Sequence, residues 1–135
     1  MSLMVLGVDH RSAPTSVREV LAFPGECHGQ GLAALKASFP DTEFVLLSTC
    51  NRVEIYSAAD ATPPGVDALA SCLARFHGMP AERLAGHLVV HREEAAISHL
   101  FRVAAGLESL VPGEDQILGQ VRDAYNADFR GAENN

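Results

Sequence analysis

The sequence predicts an α+β fold in which an antiparallel sheet is covered by helices. Three observations carry this reading. Strand-length apolar runs and helical stretches alternate in the order strand, helices, strand, strand, helix, strand. The two middle strands stand only a few residues apart, and the chain of 135 residues at 47% hydrophobic composition can build one core.

Leu3 to Val8 reads as a buried strand that ends in 9-DHRSAP-14, where Pro14 and small polar residues force a loop. Thr15 or Ser16 is placed to cap a short helix through about Ala22, because either hydroxyl can accept a first-turn N–H; Pro24 and Gly25 then break it. From Glu26 to about Phe39 the residues Leu32, Leu35, Lys36 and Phe39 recur at helical spacing, and Pro40 stops the run. Glu43 to Ser48 and Val53 to Ser57 are rich in β-branched and aromatic residues, and their closeness implies an antiparallel hairpin.

After 62-TPPG-65, the positions Val66, Leu69, Ala70, Leu73 and Phe76 trace one helix face that closes at Gly78 and Pro80. Residues 87-HLVVH-91 make a fourth strand. A helix from about Glu93 to Ala105 follows, with Ala96, Ile97, Leu100, Phe101 and Ala104 as its expected buried stripe and Gly106 as its terminator. A last helix starts near Asp115 and carries Ile117, Leu118, Val121 and Tyr125. The β-α-β-β-α-β string is the signature of the split, ferredoxin-like sandwich, with helices expected on one face and further helices added. One domain is expected over residues 1–135, with a frayed tail at about 129–135.

Composition narrows the function. The formal charge is −7, from 17 Asp and Glu against 10 Lys and Arg, so no broad cationic surface is available to collect phosphates non-specifically. Cys27, Cys50 and Cys72 are odd in number and lack a Cys-x-x-Cys pair, which argues against a disulfide framework or structural zinc and for reduced thiols. No stretch approaches the ~20 apolar residues of a membrane helix, and the N-terminus does not read as a signal peptide, so a soluble cytoplasmic protein is expected.

The candidate for chemistry is 48-STCNRVEIY-56, where a polar turn interrupts a strand pattern with a thiol at its centre. A turn holds a side chain on a fixed scaffold yet leaves it accessible, and Arg52, Thr49 and Asn51 can supply positive charge and amides that favour a thiolate. A cysteine is more often a small buried hydrophobe, and that reading is kept for Cys27 and Cys72. His87 and His91, four apart on a strand, point to one face but lack a third ligand, so no metal is assigned. His99 belongs at the edge of a buried helical stripe, where a histidine either packs or serves a thiol as general base. The run 29-GQGLAA-34 matches G-x-G-x-x-A but follows no strand, so it is read as loop and helix start. In 105-AGLESLVPGEDQILGQVRDAY-125, Ser109, Glu114, Asp115, Gln116 and Gln120 supply donors and acceptors; acids suit a helix start, and Gln116 and Gln120 share a helical face.

Taken together, 9-DHRSAPTSVRE-19, 48-STCNRVEIY-56 and 106-GLESLVPGEDQILGQVRDAY-125 resemble the N-terminal catalytic domain of glutamyl-tRNA reductase, over nearly the whole chain and in order. Pro112 departs from the aliphatic residue expected there. The resemblance implies attack by the Cys50 thiolate on the ester joining glutamate to its transfer RNA, then reduction of the resulting thioester by NADPH to glutamate-1-semialdehyde, the entry step of tetrapyrrole (porphyrin and heme) biosynthesis. It implies a glutamate pocket of Thr49, Cys50, Asn51, Arg52, Ser109, Glu114, Asp115, Gln116 and Gln120, and a histidine important for activity at His99. Charge suggests Arg52 for the substrate's side-chain carboxylate and Glu114 for its α-ammonium.

The resemblance further implies a fragment of a longer reductase, with the NADPH-binding and dimerisation domains outside this chain, a homodimeric full-length protein, and glutamate-1-semialdehyde aminomutase as a partner. The chain alone is expected to form the thioester without reducing it. Two other readings compete: a non-catalytic binding or regulatory module on the same fold, and a generic thiol hydrolase using Cys50 with His99.

Overall fold

A computed structural model describes residues 1–106. The elements are β1 (Ser2–Asp9), α1 (Thr15–Leu21), α2 (Cys27–Ser38), β2 (Thr42–Ser48), β3 (Arg52–Ala59), α3 (Val66–Phe76), a single 3-10 turn at Ala81–Arg83, β4 (Val89–Arg92) and α4 (Glu94–Ala104). The expected helix near Asp115, the Pro112 bend and the tail lie outside the described residues, as do Ser109, Glu114, Asp115, Gln116 and Gln120. No helix among the described residues is long and apolar enough to cross a membrane.

The strands pair in the order β2-β3-β1-β4, every pair antiparallel, with Leu46 opposite Ile55 and Ile55 opposite Leu6. This is the strand order of the ferredoxin-like sandwich, produced by two βαβ units that each leave room for one strand of the other. Pleating sends Met4, Leu6, Val8, Phe44, Leu46, Val53 and Ile55 to one face, where they form the main core with Leu21, Leu35, Leu69 and Leu73 of α1, α2 and α3. Gly31 closes this packing: a Cβ there would stand 2.4 Å from the Phe23 ring.

The expectation that helices cover one face needs correction, because α4 lies on the other. Val103 of α4 packs with Leu47 and Tyr56, and His99 reaches Glu54, all on residues that pleating turns away from the main core. The helices α2 and α3 already fill the first face, so α4, which follows the last strand, finds apolar area on the second. Both faces of β1 are therefore buried, with Val5 and Leu6 equally hidden, which explains its unbroken apolar run.

The expected stripe of α4 is also rotated. Ala96, His99 and Val103 face inward, while Ile97 is 43% and Phe101 71% exposed. The polar partner of His99 on β3 turns the helix so that the imidazole is buried against the sheet, Ile97 and Leu100 only border a groove along it, and Phe101 faces outward. Two smaller expectations change as well. Pro14 caps α1 in extended conformation with no side-chain bond, because the Thr15 hydroxyl is one residue inside the helix and accepts from Arg18 Nη2 at 2.9 Å. His87 precedes β4, in a turn where its ring Nδ1 lies 3.2 Å from the Ser12 carbonyl, so it does not share a strand face with His91.

Gly7 sits at the centre of the sheet, opposite both Glu54 and Val89. A Cβ at this position would stand 2.3 Å from the Val53 carbonyl oxygen and 3.0 Å from Glu54 Cγ. Backbone cannot yield as a side-chain tip can, so Gly7→Ala is expected to destabilise the chain by about 2 kcal/mol. Urea unfolding of the two proteins measures this, and equal midpoints would mean that the strands part without strain.

Candidate active site

Antiparallel pairing gathers the end of β1, the end of β2, and the starts of β3 and β4 at one edge of the sheet. The β2–β3 turn is found here. Thr49 N–H donates to the Arg52 carbonyl at 2.8 Å, leaving Cys50 and Asn51 as a two-residue tip. Such tips usually need positive φ, yet Glu93 is the one non-glycine residue with positive φ among the described residues. The Thr49 hydroxyl replaces that device by accepting from the amides of Asn51 at 3.0 Å and Arg52 at 3.2 Å. Ser48 ties the turn to the helical side, its hydroxyl accepting from Phe23 N–H at 2.9 Å. Cys50 is thereby held exposed on a braced loop, while Cys27 is half-buried and Cys72 buried, as the plain reading of those two residues holds.

Behind the turn, β3 sends Arg52, Glu54 and Tyr56 toward α4. Arg52 is fully buried, and its Nη1 lies 3.3 Å from Glu54 Oε2. His99 Nε2 approaches the same oxygen at 2.5 Å, and the Tyr56 hydroxyl donates to Glu54 Oε1 at 2.7 Å. Burial first, then the charge and hydrogen bond of Glu54, push the Tyr56 phenol well above its ordinary value, so it remains a donor. His91 of β4 stacks on His99 with ring centroids 4.3 Å apart. Buried charges persist only when paired and hydrogen-bonded, and this group meets that condition through its shared carboxylate.

The structure thus brings together Thr49, Cys50, Asn51 and Arg52 on one turn, with His99 linked to Arg52 through Glu54. His99 is 7% exposed, inside rather than at the edge of its stripe. Sequence reasoning missed Glu54 and Tyr56. The available signal was three polar-capable residues, Arg52, Glu54 and Tyr56, two apart in a strand whose intervening residues are Val53 and Ile55.

Beside His99 opens a cleft of about 560 Å³ whose lining includes Asp9, Arg11, Ser12, His91 and Arg102. Its floor at the β1 end is fixed by a reciprocal turn. Asp9 Oδ1 accepts from the amides of Arg11 at 2.8 Å and Ser12 at 3.0 Å, while the Ser12 hydroxyl accepts from Asp9 N–H. Burial pushes the Asp9 carboxyl up, but those two amides and the charges of Arg52 and His10 outweigh it and hold the group below 3.8. A folded-state value below the unfolded one gives stability that is present above about pH 4 and lost as pH falls through the folded value. Thermal unfolding across pH 5 to 2.5 should therefore show a shallower acid loss for Asp9→Asn than for the unaltered chain; parallel curves would contradict the assignment.

No group of three or more metal-ligating side chains is found among the described residues. Nor does the glycine-containing run at 29–34 fit a dinucleotide. Residues 29–34 lie inside α2, and Gly31 is filled by the Phe23 ring, so the glycines serve helix packing and leave no cradle for a pyrophosphate.

The fold and site define a ferredoxin-like α+β domain that carries an accessible thiol on a braced hairpin turn. The chain belongs to the glutamyl-tRNA reductase N-terminal domain family, whose model, described as "Glutamyl-tRNAGlu reductase, N-terminal domain", matches residues 6–132. It is 44% identical over 124 residues to the glutamyl-tRNA reductase of Thermobifida fusca (strain YX), covering 92% of this chain and 26% of that protein. It is 47% identical over 126 residues to that of Salinispora arenicola (strain CNS-205), covering 93% and 28%. The solved structure of glutamyl-tRNA reductase from Methanopyrus kandleri superposes with a TM-score of 0.71 at 33% identity, over 95% of this chain and 28% of that one. The chain thus spans little more than a quarter of the length of these relatives.

Proposed function

We propose that this chain is the acyl-accepting part of a glutamyl-tRNA reductase acting in tetrapyrrole synthesis. The observation that carries this reading is the exposure of Cys50 on a turn braced by Thr49 and backed by the buried Arg52–Glu54–His99 group. The Cys50 sulfur attacks the ester carbonyl of glutamyl-tRNA and forms the carbon–sulfur bond. The ester carbon–oxygen bond breaks, and the ribose oxygen leaves with a proton. An aminoacyl ester is already activated, so a soft nucleophile suffices.

Thr49, Asn51 and Arg52, with Ser109, Glu114, Asp115, Gln116 and Gln120, make the glutamate pocket in this reading. In this reading Arg52, whose guanidinium lies buried against Glu54 until substrate enters, meets the side-chain carboxylate and Glu114 the α-ammonium. Arg52→Lys keeps a charge but loses the planar fork, and should raise KM for the glutamyl ester about tenfold or more. Unchanged KM and turnover in that variant would remove the carboxylate role.

NADPH supplies a hydride to the thioester when bound, and this reading assigns its binding and the reduction to other parts of the reductase. Homodimerisation, most of the tRNA contact and any handover to glutamate-1-semialdehyde aminomutase are assigned there too, and the site of action to the cytoplasm. Incubated alone with glutamyl-tRNA, the chain should release free glutamate at a rate that does not depend on NADPH. Detection of NADPH-dependent semialdehyde from this chain by itself would overturn the division of labour.

A further inference from the structure

We infer that Glu54 is a positioning residue for His99, holding the imidazole as the Nε2–H tautomer and so leaving Nδ1 as the ring nitrogen able to accept a proton. Glu54 presents its carboxylate to several partners at once. Two donors already converge on it, Arg52 Nη1 on Oε2 at 3.3 Å and the Tyr56 hydroxyl on Oε1 at 2.7 Å. Toward a third partner this group can act as acceptor, so the His99 nitrogen that meets Oε2 at 2.5 Å is the one that carries hydrogen.

The arrangement is built rather than incidental. Glu54 is 4% exposed on the central strand β3. Its side chain occupies the space left by Gly7, where any Cβ would press on Glu54 Cγ and the backbone behind it. His91 stacks against the imidazole and limits its rotation. Arg52 and Tyr56 hold the carboxylate, and the carboxylate and the stacked His91 ring hold His99 next to the cleft that it lines with Asp9, Arg11 and Arg102.

The catalytic consequence rests on the proposed reaction of Cys50. During acyl transfer the thiol proton must leave sulfur and a proton must reach the departing ribose oxygen. With Nε2–H committed to Glu54, Nδ1 is the one ring nitrogen of His99 that can take up such a proton, and release of the proton returns the ring to neutral Nε2–H. Glu54 touches neither substrate nor sulfur and acts through His99.

The test uses the 15N-labelled chain at about pH 8, where long-range proton–nitrogen spectra separate the two neutral tautomers of each histidine. His99 is expected as Nε2–H alone. In Glu54→Gln, which keeps the size of the side chain but offers an amide that can donate as well as accept, the two tautomers are expected to mix. Acylation of Cys50 by glutamyl-tRNA should slow at least about tenfold in that variant with little change in KM. An Nδ1–H tautomer in the unaltered chain overturns the inference, and this requires no variant to fold. An unchanged tautomer in folded Glu54→Gln, or relaxed tautomers with an unchanged acylation rate, also overturns it. If the unaltered chain is not acylated at all, the proposed function fails, while the tautomer measurement still decides the role of Glu54.

Discussion

Cys50→Ser should abolish covalent capture of the glutamyl group and lower acyl transfer by about 10³-fold or more, the scale seen when an enzyme nucleophile is removed. Sulfur is polarisable and attacks an activated ester readily, whereas a hydroxyl needs a dedicated base held against it. The side chain is exposed at the tip of its turn, and the bonds that brace the tip come from the Thr49 hydroxyl and backbone. The substitution should therefore change stability by no more than about 0.5 kcal/mol. Activity lost with stability kept separates a chemical role from a structural one. Residual acyl transfer within tenfold of the unaltered chain would show that Cys50 is not the nucleophile.

The second large effect is on stability. Glu54→Leu removes the carboxylate beside a fully buried guanidinium and strips His99 and Tyr56 of their common acceptor. Removing one partner of a buried pair costs about 3–5 kcal/mol, because desolvation of the remaining charge is no longer offset. Domains of this size have a total margin of only about 5–15 kcal/mol, so much of the population could unfold at physiological temperature. The paired change Arg52→Met with Glu54→Leu removes the buried cation as well and should recover part of the loss. Urea unfolding of the two variants measures both effects, and a Glu54→Leu loss below about 1 kcal/mol would mean that the group is less tightly coupled than its distances imply.

The two variants bear on different links of one chain of cause. The turn presents the thiol, and the buried group behind it fixes the start of β3 from which that turn springs. Gly7 is what lets the buried group exist in the middle of a sheet. Sequence choices far from Cys50 thus hold the geometry of the candidate site.

Much of the fold was legible because it rests on local signals. The β2–β3 hairpin, the apolar face of α3 and the ends of the strands follow from periodicity and from proline and glycine breaks, and the order of elements leads to the observed sheet. The packing of α4 was not legible, because helical spacing shows which residues are apolar and does not show which face of a sheet remains open. Ile97, Leu100 and Phe101 looked like a core stripe until the polar partner on β3 was known. His99 was singled out from its neighbours and from family resemblance, yet its burial depends on Glu54, 45 positions away along the chain. A contact of that sequence separation leaves no periodic mark. Cys50 was legible for the opposite reason, as a thiol among small polar residues at a break between two strands.

The central claim is that Cys50 takes the glutamyl group from the transfer RNA. Its most direct measurement is the intact mass of this chain, quenched in acid after brief incubation with glutamyl-tRNA and mapped by peptide fragmentation. The expected result is one glutamyl adduct carried by Cys50 and absent from Cys50→Ser. An adduct on Cys27 or Cys72, or glutamate released at the same rate by both proteins without any adduct, would contradict it.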